Sequence, residues 1–346
     1  KLVTSDGANA LTLGTKADNS GLKSVIGGSG ADTINASSFA GQLTISSGSG
    51  ADTLTTQSGA YTLTVNAGAG DDTVYLTAKN FASGDSIDGG AGSDTIRFAD
   101  DAQTVFDAAF DDVTNVEVLA TADGANSVTL GTLADDTGLL SVVGGSGNDT
   151  INASAFAGSL TISTGSGGDE EITLGTANGQ ITVVDATNQW DSSDTFTGGA
   201  GTSDVILLTG DSQTVVDADF TNVTAIENLT TGDGSNNLTL GTKADDSGLA
   251  TVTGGDDADT INAAAFAGAL TVASGAGADV ITTQSGDYSL SVDAGAGADG
   301  ITTVGAQLTS ADTIDGGAGA DTITLSADAA TIVDADFTNI DNVEGF

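Results

Sequence analysis

Aspartate recurs in this chain behind glycine at fixed offsets, a pairing suited to holding a hard cation with oxygen ligands. In Gly89-Gly90-Ala91-Gly92-Ser93-Asp94 and Gly316-Gly317-Ala318-Gly319-Ala320-Asp321, three glycines lead into one carboxylate. Glycine lets backbone carbonyls converge on a small volume, and calcium takes about six to eight oxygen ligands in flexible geometry. The carboxylates return at steps of 20, 20 and 22 residues. They are Asp32, Asp52, Asp72 and Asp94 in one stretch, and Asp259, Asp279, Asp299 and Asp321 in another. Histidine and cysteine are both absent from the sequence. No nitrogen or sulphur ligand therefore competes for the ion, and a His- or Cys-based catalytic triad has no residues to build it.

Charge points the same way. The chain carries 48 Asp+Glu against 6 Lys+Arg, a formal charge of -42 over 346 residues. Such a chain repels itself until something neutralises it, and cations interleaved between stacked carboxylates remove that cost. Two plainer readings stand beside this one: an acidic surface that serves solubility, and aspartates that only form turns. A basic stripe for nucleic acid is missing, so nucleic acid is not a partner. No apolar run is long enough to insert in a membrane. Fifty glycines without a proline call for many tight turns rather than collagen or disorder.

The elements that place the carboxylates repeat with them. Gly27 opens GGSGADTINASSFAG, Gly144 opens GGSGNDTINASAFAG and Gly254 opens GGDDADTINAAAFAG. Three large repeats follow, over 1–119, 120–229 and 230–346. Within them a coil of about 20 residues reads as a glycine-aspartate turn, a short strand, a second turn and a returning strand. Apolar residues alternate with period two, as at Ile34, Leu43, Ile45, Leu54, Leu63 and Val65. One coil buries almost nothing alone, so the core must come from stacking. The fold class expected is all-β, a parallel β-solenoid or β-roll. Helix is disfavoured except in the segments from Asp101, Asp211 and Asp328, where Phe110, Phe220 and Phe337 read as core plugs at a junction. Trp190, the single tryptophan, reads as the filler of an irregular turn in the middle repeat, which has lost one glycine-rich turn. Leu2 to Thr15 matches Leu119 to Thr132, so the chain reads as a section of a longer array.

The turns resemble the nonapeptide of hemolysin-type (RTX) calcium-binding repeats, G-G-x-G-x-D-x-apolar-x. The resemblance implies Ca2+ held between turns by carboxylates and carbonyls. In the first repeat it carries that role to Gly28, Gly30, Asp32, Gly50, Asp52, Gly70, Asp72, Asp85, Gly90, Gly92 and Asp94. In the second it carries it to Gly145, Gly147, Asp149, Asp194, Gly199 and Asp204. In the third it reaches Asp259, Gly277, Asp279, Gly297, Asp299, Asp312, Gly317, Gly319 and Asp321. Asp85 and Asp312 stand nine residues before Asp94 and Asp321, the tandem spacing of the family, whereas Gly254–Asp259 lacks the third glycine. Most coils have one good glycine-aspartate edge, which implies calcium along one side of the solenoid. The whole chain is also similar in composition to type I-secreted bacterial surface-layer proteins. That implies a secreted, non-enzymatic protein at the cell surface, a homo-oligomer in a lattice or filament, with cell-surface polysaccharide as a further partner. A calcium-binding stalk of a large secreted adhesin shares these features.

Overall fold

The computed structural model describes the chain except for residues 58, 60, 77–80, 167, 178, 184–189, 287, 304–307 and 327–330. It is an all-β parallel solenoid that forms two compact units, Lys1–Ala177 and Asn178–Phe346. The division falls inside the second large repeat, so sequence repeats and compact units are different partitions of the chain.

In the first unit each coil gives one strand to a central sheet and one to a flanking sheet. The central strands are Ala10–Gly14, Thr33–Ser38, Thr53–Thr55, Thr73–Leu76, Thr95–Phe98, Val118–Ala120, Ser141–Val143 and Thr161–Ser163, all parallel and in that order. Their register is strict: Ile34, Leu54, Val74, Ile96, Leu119 and Val142 are cross-strand neighbours in turn, and all are buried. Opposite them Val25, Ile45, Val65, Ile87 and Val113 form a second buried column. Each such side chain contributes about 1.5–3 kcal/mol on burial, but only when the next coil covers it. Threonines alternate with them and face outward, the half-buried setting that β-branched residues favour. The second unit repeats the plan. Its central strands run from Gln180–Val183 through Val205–Leu208, Asn228–Thr231, Thr251–Thr253, Thr271–Ala273, Ser291–Asp293 and Thr313–Asp315 to Ile340–Asp341.

Each unit also contains one coil with an extra strand. After Thr95–Phe98 the chain starts a new flanking sheet at Thr104–Val105 and makes a 3-10 helix at Asp107–Phe110. It then closes the old flanking sheet with Asp112–Thr114 and returns to the centre at Val118–Ala120. In the second unit Thr214–Val215, Asp217–Asn222, Val223–Thr224 and Asn228–Thr231 do the same. Phe110 is buried edge-on against Phe81, and Phe220 edge-on against Trp190, so these residues plug the junction cores. Phe337 is 37% exposed and meets Phe346 instead.

Short α-helical turns lie outside the segments expected to hold helix, at Thr15–Asn19, Thr132–Asp136 and Thr242–Asp246. In the second and third of these turns a carboxylate from the preceding junction clamps the helix start, whereas Thr15–Asn19 forms without one. Asp107 accepts hydrogen bonds from the N–H groups of Gly131 (2.7 Å) and Ala134 (2.9 Å), and Asp217 from those of Gly241 (2.8 Å) and Ala244 (3.0 Å). Replacing a carboxylate that satisfies a helix start costs about 1–2 kcal/mol. Asp217→Ala is therefore expected to lower the unfolding free energy by that amount and move the denaturant midpoint down accordingly, and an unchanged midpoint would show that the clamp is idle.

Candidate metal centre

Where a strand ends at a glycine-aspartate corner, two oxygens crowd the first glycine. A Cβ at Gly89 would lie 2.0 Å from the Asn115 carbonyl oxygen and 2.8 Å from Asp94 Oδ2. At Gly27 the same space is bounded by the Ser47 oxygen at 1.9 Å and Asp32 Oδ2 at 2.6 Å. At Gly198 it is bounded by the Ala225 oxygen at 1.6 Å and Asp204 Oδ2 at 2.9 Å. Only glycine fits there, and what it admits is a carbonyl from the adjoining coil beside a carboxylate.

The aspartates themselves form ladders. Asp32 donates its backbone N–H to Asp52 Oδ1 at 2.6 Å, Asp52 to Asp72 Oδ1 at 2.7 Å, and Asp72 to Asp94 Oδ1 at 2.8 Å. In the third repeat Asp259, Asp279 and Asp299 donate in the same way to Asp279, Asp299 and Asp321, at 2.8, 2.7 and 2.8 Å. All are buried. One oxygen of each carboxylate thus serves the fold. The other, Oδ2, is buried without a hydrogen-bond partner in Asp72, Asp94, Asp204, Asp279 and Asp321. Leaving a carboxylate oxygen dry and unpaired is costly, and burial accordingly pushes Asp72 up to about 6. Burial likewise raises Asp94, Asp204 and Asp299, with like charges on Glu117, Glu227 and Asp279 adding to it.

These corners fit calcium. The orphaned Oδ2 and the neighbouring carbonyl are hard oxygen donors, and a divalent ion would remove both the dry charge and the repulsion along the ladder. No group of three or more carboxylates converges among the described residues. An ion at such a corner would draw on the aspartate together with backbone oxygens of the glycine turn.

The predicted residues fall into three groups. Asp32, Asp52, Asp72, Asp94, Asp149, Asp204, Asp259, Asp279, Asp299 and Asp321 all occupy ladder corners. Gly28, Gly90 and Gly317 with Gly30, Gly50, Gly70, Gly92, Gly145, Gly147, Gly199, Gly277, Gly297 and Gly319 shape those turns. Asp85, Asp194 and Asp312 stand elsewhere. Asp85 accepts from the N–H of Leu63 (2.7 Å) and of Ala82 (2.8 Å), and Asp312 accepts from Leu290 (2.7 Å) and Thr309 (2.6 Å). Asp194 accepts from the N–H of Asp191 at 2.8 Å. In Asp85 and Asp312 both oxygens accept backbone hydrogen bonds that clasp their loops. Asp257 replaces the missing third glycine: it adopts a φ of 66°, and its carbonyl lies against Gly277 as a glycine's would.

The ends of the ladders escaped the sequence reading. Asp94 and Asp204 donate to Glu117 and Glu227 at 2.7 and 2.8 Å, and Asp321 donates to Glu344 at 2.8 Å. At the other end Asn9, Asn126 and Asn236 donate to Asp32, Asp149 and Asp259. Every one of these partners stands 23 residues from the next rung, a continuation of the same rhythm in residues other than aspartate.

The ladders also change sides. Before the first junction the corners precede central strands, as Gly27–Asp32 precedes Thr33–Ser38. After it they follow central strands, as Gly144–Asp149 follows Ser141–Val143. Because the central strands are all parallel, the corners have moved to the opposite edge of the sheet. The extra junction strand is the cause: the old ladder stops at Glu117, and a new one starts where Gln103 donates to Asn126 at 2.9 Å. In the second unit Gly198–Asp204 precedes a central strand and Gly254–Asp259 follows one. The ion-binding corners thus do not keep to a single side within either unit.

The family model of the RTX calcium-binding nonapeptide repeat (four copies) matches residues 24–43, 64–78, 82–102, 141–158 and 308–332. Those segments are similar to the RTX repeat, a calcium-binding nonapeptide. No curated protein and no solved structure matches the chain. Among the described residues, no helix is long and apolar enough to cross a membrane.

Proposed function

We propose that this calcium-binding structural solenoid works outside the bacterial cell as a stiffened scaffold that self-assembles into a surface layer or filament. The observation that carries the reading is the ladder of buried aspartates with unpaired oxygens. A stack of dry carboxylates is unfavourable without a divalent ion, and calcium is plentiful outside cells and scarce within them. Periodicity supports assembly. Phe106, Val216 and Val333 occupy the same place at the start of the three junction 3-10 helices, and are 63%, 42% and 51% exposed. Apolar contacts recurring at such intervals suit a periodic array.

The net charge of -42 favours a second reading, the stalk of a secreted adhesin, because free chains of that charge hold one another apart. Electron microscopy separates the two. With millimolar calcium we expect ordered sheets or fibres that disperse on chelation. Solitary calcium-loaded rods at every protein concentration would overturn the scaffold and leave the stalk.

A further inference from the structure

We propose that the outer face of the central sheet at the first junction carries a binding site for a neutral saccharide, built around Arg97. The proposal gives a place to the polysaccharide partner that the resemblance to surface-layer proteins implies. It depends on neither the lattice nor the stalk.

Arg97 is the single arginine of the sequence. Strand register sets Tyr75, Arg97, Ala120 and Val143 side by side across four strands. Their neighbours Val74, Ile96, Leu119 and Val142 are buried, so alternation turns this row away from the core. Ala120 is short between two longer side chains and floors an open hollow of about 370 Å³, rimmed by Asp101 and Asp123. That volume falls in the range of small-molecule sites, about 300–1,000 Å³.

The lining selects the chemistry. The guanidinium offers a fork of N–H donors and no acceptor, while the two carboxylates only accept. A ligand must therefore both accept and donate, as hydroxyl groups do. Tyr75 and Val143 offer apolar surface to one face of a ring. An anion would meet two carboxylates and the field of the whole chain, and a cation would meet Arg97. A neutral polyhydroxylated ring satisfies all three groups. Among the described residues Arg97 makes no salt bridge; the ion pair present is Lys23–Asp18 at 3.7 Å. Asp123 is held below the usual carboxylate range by hydrogen bonds from Ser146, with the Arg97 charge adding to them, so it stays charged for a hydroxyl donor.

The second junction shows what the same register looks like without the site. There the row reads Leu207, Thr230 and Thr253, with no charged or aromatic side chain. The fold tolerates leucine where Arg97 stands, so the arginine is not needed for packing.

The test uses the full calcium-loaded chain and saturation-transfer NMR. The probes are neutral oligosaccharides of hexoses, deoxyhexoses and N-acetylhexosamines, with inorganic phosphate as the anionic comparison. At least one neutral glycan is expected to bind, and Arg97→Leu and Tyr75→Thr are each expected to weaken it at least about tenfold while melting curves stay unchanged. Three results would overturn the proposal: no neutral glycan binds, binding survives both substitutions, or phosphate is the preferred ligand. If either variant melts early, Asp123→Asn supplies the second reading of the same rim, and an unchanged affinity there counts against the site.

Discussion

Chelating calcium at neutral pH is expected to lower the thermal midpoint by tens of degrees and to strip most of the β signal from the far-UV circular dichroism. Each site held at a hundred times its dissociation constant stabilises the folded chain by about 2.7 kcal/mol. Four such sites add about 11 kcal/mol, or about 20 °C at roughly 2 °C per kcal/mol for a domain of this size. Acid should partly replace the ion. Asp72 is pushed up to about 6 from 3.8 by burial, and Asp52, Asp94, Asp149 and Asp259 are raised by the same cause. A carboxyl raised in the folded state binds its proton more tightly there than in the unfolded chain. Its contribution is full below the unfolded value near 3.8 and is lost as pH rises through about 6. In chelator, then, the midpoint should climb as pH falls from 7.5 towards 5. In calcium the same acidification should lower the midpoint, because protons displace the ion. Identical midpoints with and without calcium at pH 7.5 would reduce the aspartates to turn formers.

A single methyl group at Gly68 should cost about a third as much as losing those four sites. Gly68 has a φ of 108°, and a Cβ there would lie 1.9 Å from the Gly48 carbonyl oxygen and 2.9 Å from its carbon. Gly48 stands in the same relation to Gly28, and Gly90 to Gly68, at 2.1 and 1.9 Å. The obstacle is backbone held in ladder register on both sides, so nothing near it yields without unstacking a coil. The left-handed conformation costs alanine about 1–2 kcal/mol, and overpacking adds about 1–3 kcal/mol. Gly68→Ala should thus cost on the order of 4 kcal/mol in saturating calcium. Gly84 supplies the comparison: its φ is 92° and nothing lies within 4 Å of a Cβ, so Gly84→Ala should carry the conformational cost alone. Equal losses in the two variants would mean that the coils do not stack as closely as these distances require.

Periodicity made the coil legible before any coordinates. Ile34, Leu54 and Val74 announce a buried column because they recur every 20 residues in the same local setting, and the aspartates announce a corner for the same reason. The resemblance of Gly89–Asp94 to a calcium turn survived contact with the geometry. What stayed hidden depends on counting strands rather than reading them. Thr104–Val105 and Asp112–Thr114 look like ordinary alternating residues, yet their presence in one coil decides on which edge Asp149 lies. Asp85 and Asp312 lie away from the ladder corners; spacing along the chain does not say which corner a residue occupies. Glu117 and Asn126 continue the ladder at the same spacing but break the aspartate pattern, so residue type alone does not mark them. The helix at Thr132–Asp136 was invisible for a different reason: its clamp, Asp107, lies in the preceding coil.

The change of edge at each junction has a mechanical consequence. An ion that draws adjacent coils together along only one flank shortens that flank, and the stack bows toward it as a bimetallic strip bows on heating. Within Lys1–Ala177 the aspartates up to Asp94 pull on one flank, and Asp149 pulls on the other. The two curvatures oppose each other, so calcium loading is expected to bend successive stretches of the unit in opposite senses rather than to accumulate one bend. A junction strand that began as a break in the pattern is thus what keeps a one-sided motif from adding up to a single bend within the unit.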